Sequence, residues 1–186
     1  VIITIPQYFN ISYSSKEITN NRFTDMHAWG SERKIPVITY ENAAQAISKL
    51  QTLETDISFA IVVGWYHFIP TKLRALFPLG CAGFHASLLP KLRGGAPLNW
   101  ALLNGLSETG VSFFELGDGI DDGLLYAQEN FLIEPDDYIN DLITKSKKFI
   151  LQILDKYLPN LKEGHLLKYQ QVGDPSYCGQ RNPQDS

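Results

Sequence analysis

Residues 59–84 read FAIVVGWYHFIPTKLRALFPLGCAGF, and this run decides the fold. Phe59–Gly64 is unbroken apolar sequence with β-branched Ile61, Val62 and Val63, the pattern of a strand covered on both faces. Trp65–Pro70 leaves its end. Thr71–Phe77 has the spacing of a short helix with Thr71 in the cap position, and Gly80–Phe84 returns as a second short strand. Strand, helix and strand in so few residues predict a parallel βαβ unit.

Working outward, Val1–Ile5 and Pro36–Thr39 read as further strands, and Pro6 to about Asn21 as a mobile loop rich in Ser, Asn and Tyr. Arg22–Lys34 has weak helical character, and Asn42–Leu50 is an amphipathic helix capped by Asn42. Leu98–Asn104 fits a helix that starts just after Pro97 and closes at Gly105. Thr109–Leu116 and Leu124–Ile133 form a hairpin across Gly117–Gly123, a turn holding three glycines and three aspartates. Asp137–Leu158 is the longest helix, with Ile139, Leu142, Ile143, Phe149, Ile150 and Ile153 on one stripe. A tail from Gly164 carries one strand-like run and a polar end. The fold class is therefore α/β, a three-layer arrangement about a mostly parallel sheet with a later hairpin, in one domain.

Composition narrows the partners. The chain has 186 residues, 44% apolar and 12% aromatic, enough for a sizeable core, and a net charge of -4. A mildly acidic surface has no general attraction for nucleic acid. Cys81 and Cys178 stand far apart and fit a reducing compartment rather than a disulfide scaffold. No metal-ligand spacing joins them or His27, His67, His85 and His165. No apolar run is long enough for a membrane-spanning helix, and no signal core is present. The expectation is a soluble, cytoplasmic protein without a metal or a membrane partner. The first residue, Val1, lies inside a strand-like run, so the chain reads as a fragment or one missing its native start.

Candidate chemistry gathers at strand ends, where open α/β sheets bind ligands. Trp65–Phe68 follows the first strand of the decisive run, His85 follows the second, and Asp121 lies in the turn after the FFEL strand. These three are expected to converge. A histidine beside a carboxylate suits proton transfer, because the carboxylate orients the ring and stabilises its charged form. Ser87 reads as a loop hydrogen-bonding residue, since no nucleophile elbow surrounds it. Gly94 and Gly95 let backbone approach a phosphate. Arg93 is open between structural anchor and substrate contact, Trp65, Tyr66 and Phe68 between core and ligand wall, and Asp121 between turn former and catalyst.

The segment Gly83–Trp100, GFHASLLPKLRGGAPLNW, with the later Gly119-x-Asp121-x-Gly123, resembles the formyltransferases that use formyltetrahydrofolate. The matches are His85, Ser87, Leu88, Leu89, Pro90, Arg93 and Gly94, with Thr109–Gly110–Val111 at the usual place and Asp121 36 residues after His85. Ala96–Pro97–Leu98–Asn99–Trp100 and Arg181-x-Pro183-x-Asp185–Ser186 are similar to enzymes that formylate the amine of a nucleotide-linked sugar. The resemblance implies a Rossmann-like formyltransferase catalytic domain over 1–186, without the family's first strand and C-terminal barrel. It implies 10-formyltetrahydrofolate as co-substrate and a nucleotide-linked amino sugar as acceptor.

By the same resemblance, His85 and Asp121 are catalytic. Trp65, Tyr66, His67, Phe68, Ile69, Leu88, Leu89, Pro90, Gly117, Asp118 and Gly119 bind folate, and Ser87, Arg93, Gly94 and Gly95 bind substrate. Gly83 departs from the family, which has Asn there to hold the formyl oxygen. Two alternatives follow: a methionyl-tRNA formyltransferase, and a relative that binds folate or sugar nucleotide with impaired catalysis.

Overall fold

The computed structural model describes residues 1–10, 16–20, 22–165 and 167–180. The chain folds as two compact units, Val1–Ser58 with Trp65–Pro78, and Phe59–Gly64 with Leu79–Ser186.

In the first unit, β1 (Ile2–Thr4) pairs in parallel with β4 (Val37–Thr39), Ile3 opposite Ile38. Helix α1 (Met26–Glu32) packs on this pair through Gly30, where a Cβ would meet Val37 Cγ2 at 2.4 Å. Any larger residue would push the helix off the strand. Asp25 caps α1 by accepting from Ala28 N at 3.0 Å, and Asn42 caps α2 (Ala43–Gln51) by accepting from Gln45 N at 2.9 Å, as the sequence predicts. Within the expected mobile loop, β2 (Tyr8–Phe9) pairs antiparallel with β3 (Ile18–Thr19). Burial of Phe9 is the reason a polar stretch acquires order there. Thr71 is not the cap of α3 (Thr71–Arg74): the cap is Pro70, which has no side-chain bond to give. Thr71 Oγ1 instead accepts from Arg74 Nη2 at 3.1 Å.

The second unit holds a four-stranded sheet of β5 (Phe59–Val62), β6 (Gly80–His85), β8 (Glu108–Glu115) and β9 (Leu125–Leu132), in that order. The sheet is mixed. β5 and β6 run parallel, and the later hairpin adds β8 and β9 antiparallel. Separately, β7 (Arg93–Gly94) pairs in parallel with β10 (Tyr177–Cys178). Helix α4 (Pro97–Leu103) begins with Pro97 itself, whose missing N–H costs nothing in a first turn.

Strand alternation splits the sheet's side chains. Ala82, Val111, Phe113 and Tyr126 pack with Leu142, Ile153 and Leu161 of α5 (Ile139–Lys162) in the main core. Leu89, Phe114 and Leu125 form a second cluster with Leu116 against it. Helix α5 starts later and ends later than the sequence predicts. Asp137 stays outside it, accepting from Glu134 N at 2.8 Å and pairing with Lys145. At the other end the helix runs through Pro159 and carries Leu161 into the main core. The motif residues Arg181, Pro183, Asp185 and Ser186 lie outside the described residues.

Candidate active site

His85 ends β6 with its side chain on the same face as Gly83, two residues earlier, and opposite Ser112 of β8. It is 8% exposed. Its Nε2 lies 2.7 Å from Leu92 O, so Nε2 carries a hydrogen and donates. Nδ1 lies 3.4 Å from Asp121 Oδ2. A neutral ring with its hydrogen on Nε2 therefore turns the Nδ1 lone pair toward a carboxylate. A proton arriving at Nδ1 lies beside that carboxylate, which stabilises the charged ring.

Asp121 is placed by a turn with little freedom. Its φ is +49°, a left-handed conformation that Asp adopts more readily than most residues. Asp121 Oδ2 accepts from Gly94 N at 2.8 Å, and Asp121 O accepts from Gln171 Nε2 at 2.8 Å. Gly123 follows where a Cβ would meet Glu115 O at 1.8 Å, so the turn can close only on glycine. Asp122 folds its carboxylate over Gly119, so a side chain there would first have to displace it. That is the work of a turn-forming aspartate. Gly117 lies beside Asp122 as well, and Asp118 is exposed.

The loop after His85 is tied to the sheet by polar contacts that the sequence does not announce. Ser112 Oγ donates to Ser87 O at 2.6 Å and accepts from Leu89 N at 3.1 Å and from Gln128 Nε2 at 2.8 Å. Gln128 Nε2 also donates to Leu89 O at 2.8 Å. Register explains this: Ser112 lies opposite both His85 and Gln128. Ser87, 1% exposed, donates to Lys91 O at 2.5 Å and so serves the loop. Leu89 is buried in the second apolar cluster, Leu88 covers Gly110, and Pro90 is buried after a cis peptide bond.

Beyond Pro90 the loop is held by the tail. Leu92 N donates to Ser176 Oγ at 2.9 Å, and Arg93 N donates to Ser176 O at 2.9 Å. The Arg93 guanidinium donates to Gln171 Oε1 and to the Tyr177 hydroxyl, an anchoring geometry. Gly94 has φ +100°, and a Cβ there would meet Cys178 O at 2.3 Å. Its N–H is spent on Asp121. Gly95 N donates to Cys178 O at 2.9 Å, and the Cys178 thiol donates to Gly95 O at 3.0 Å. Burial, then the Asp121 carboxylate, pushes that thiol above its ordinary value, which suits a donor. Gln171, Ser176 and Tyr177 were invisible in the sequence because polar residues in an irregular tail carry no periodic signal.

His85 and Asp121 are thus brought together. Trp65, Tyr66, His67, Phe68 and Ile69 belong to the first unit. There Trp65 and His67 pack on Tyr40, at 5.0 and 5.1 Å between ring centroids, and Tyr66 and His67 pack on Phe9, at 5.1 and 5.6 Å. Burial holds His67 below its ordinary value. Phe68 is 64% exposed. Among the described residues no helix is long and apolar enough to cross a membrane, and no cluster of His, Cys, Asp or Glu has the makings of a metal site.

The formyl transferase family model matches residues 26–157. Among solved structures, the chain is similar to a sugar 3N-formyl transferase crystallised in the presence of dTDP and 5-N-formyl-THF: 19% identity, TM-score 0.65, covering 87% of this chain and 54% of that one. It is also similar to the formyltransferase PseJ from Anoxybacillus kamchatkensis in complex with UDP-4,6-dideoxy-4-formamido-L-AltNAc and tetrahydrofolate: 18% identity, TM-score 0.66, covering 96% and 85%. A third similarity is to methionyl-tRNA formyltransferase from Clostridium thermocellum: 20% identity, TM-score 0.58, covering 85% and 67%. The chain spans about half the length of the first of these, 54%.

Proposed function

The chain belongs to the formyltransferase family, and on that premise we propose that it moves a formyl group from 10-formyltetrahydrofolate to the amine of a nucleotide-linked amino sugar. The observation that carries this reading is the His85–Asp121 pair, with Nδ1 3.4 Å from Oδ2 and Nε2 already committed to Leu92 O. Formyl transfer to an amine forms one C–N bond, breaks another, and moves a proton from the attacking nitrogen to the departing one. His85 Nδ1 takes that proton and Asp121 stabilises the charged ring. The charged ring then favours the negative charge that develops on the formyl oxygen.

When bound, the folate supplies a formyl group already attached to nitrogen. In the first unit, Tyr66 and Phe68 have exposed rings, and the buried Trp65 Nε1 has no acceptor among the described residues. A flat heteroaromatic ring bearing acceptor atoms fits such a surface, and we assign folate recognition in this unit to Trp65–Ile69. The sugar acceptor is favoured over tRNA by the Ala96–Trp100 segment and by the net charge of -4. Formyl transfer from 10-formyltetrahydrofolate to a 4-amino sugar nucleotide, assayed beside methionyl-tRNA, tests it. Turnover on the sugar that His85→Ala removes supports the reading; equal rates in wild type and variant overturn it.

A second reading, binding with impaired turnover, is favoured by Gly83. The place where a side chain would begin lies 2.9 Å from Leu116 Cδ2, so Gly83 has no polar group to offer there and an aliphatic one stands close by. Leu116 ends in a flexible side chain, so Gly83→Asn can be accommodated by its rotation. Folate binding without turnover in the wild type, and a rise in rate with Gly83→Asn, would favour this second reading.

A further inference from the structure

We propose that Gln171 is the positioning residue that holds Asp121 against His85, acting through both ends of its side-chain amide. This rests on the reading that the His85–Asp121 pair moves the proton. Gln171 Oε1 accepts from Arg93 Nε at 3.2 Å and from Arg93 Nη2 at 2.6 Å. Its Nε2 donates to Asp121 O and to Gly123 O, each at 2.8 Å. Both lone-pair directions of the oxygen and both hydrogens of the nitrogen are in use. The orientation is fixed by its partners, since the flipped amide would set donors against the guanidinium and an oxygen against two carbonyls.

The contacts close a ring. Arg93 donates to Gln171, Gln171 donates to the backbone of Asp121, and the Asp121 carboxylate accepts from Gly94 N, one residue after Arg93. Arg93 is fixed from the other side by the Tyr177 hydroxyl at 3.0 Å. The Asp121 backbone is left-handed, and such a conformation persists where its surroundings over-determine it. The carbonyls that Gln171 holds are Asp121's own and that of Gly123, at the far end of the left-handed step. Without the two donors, the carboxylate keeps its bond to Gly94 while the backbone that aims it is released. No motif in the sequence marks Gln171.

The test separates the amide's two halves. Gln171→Glu keeps acceptors for Arg93 and loses both donors to the turn; Gln171→Met loses everything at similar length. For each variant and the wild type, the His85 ring nitrogens are observed by long-range 1H–15N NMR, assigned with His85→Gln, and formyl transfer is measured in parallel. Both variants are expected to shift the His85 Nδ1 resonance and to lower kcat by about 10- to 100-fold, as a displaced catalytic group does, with KM values little changed. A Gln171→Glu protein that matches wild type in resonance and kcat overturns the proposal, as does a Gln171→Met protein whose kcat falls while the Nδ1 resonance stays in place. If the wild type has no formyl transfer at all, the functional reading fails, and the NMR shifts still decide the role of Gln171.

Discussion

His85 ends one strand of the βαβ run and is buried, while His67 follows the other and is half-buried, and the two are built for opposite uses. His67 packs among the rings of Phe9, Tyr40 and Trp65, and burial alone lowers its affinity for a proton. His85 faces an oxygen at each ring nitrogen, one a carbonyl and one a carboxylate. Strand-end position brings a histidine to where ligands bind. The atoms opposite its nitrogens decide whether it can hold and release a proton there.

The largest expected effect is on His85 itself. His85→Ala should lower formyl transfer about 10³-fold, within the range for losing a proton-transfer group, while His67→Phe should cost less than about 10². Steady-state rates of the two variants measure the contrast, and equal losses would break it. Asp121→Asn is the next step down. It keeps an acceptor for Gly94 N but removes the charge facing Nδ1, so kcat should fall about 10²-fold with folate binding retained; a kcat at the wild-type level would mean the carboxylate serves the turn alone.

Gly94→Ala sharpens the comparison from the side of the scaffold. A methyl group 2.3 Å from Cys178 O, at a left-handed φ, should destabilise the protein by about 2 kcal/mol. Chemical denaturation reads this, and the His85 resonances should broaden or move while those of His67 do not. The smallest effect is a slope. His67 binds its proton more weakly in the folded chain than in the unfolded one, so its contribution to stability is present above the ordinary value near 6.5 and is lost as pH falls below it. His67→Phe should make stability less dependent on pH across that interval, measured by thermal unfolding at a series of pH values.

The sequence made much of this legible, for reasons that can be assigned. Phe59–Gly64 and Gly80–Phe84 could be read because buried strands need unbroken apolar runs, and the hairpin because glycines and aspartates mark its turn. His85 and Asp121 could be read from a motif with fixed spacing. Three things were hidden. The hairpin of Tyr8–Phe9 with Ile18–Thr19 rests on one buried ring in a polar stretch. Helix α5 continues past Pro159 to a buried Leu161, where local pattern predicts an end. The support for Asp121 comes from Gln171, through pairs distant in sequence, and local patterns carry no trace of such contacts. Gly94 gives its N–H to Asp121, a use that the register of β7 with β10 makes apparent and no local pattern announces.

The pairing of Tyr177 with Arg93 joins positions 84 residues apart. During synthesis the N-terminal parts of a chain emerge first and local contacts form early, so β5, β6, β8 and β9 can assemble into their sheet well before β10 leaves the ribosome. Until then the loop after His85 lacks its last strand and the Asp121 turn lacks its tether. The sheet can therefore form before the contacts that fix the His85 loop and the Asp121 turn exist, and the geometry that would make it reactive depends on segments made later than the sheet.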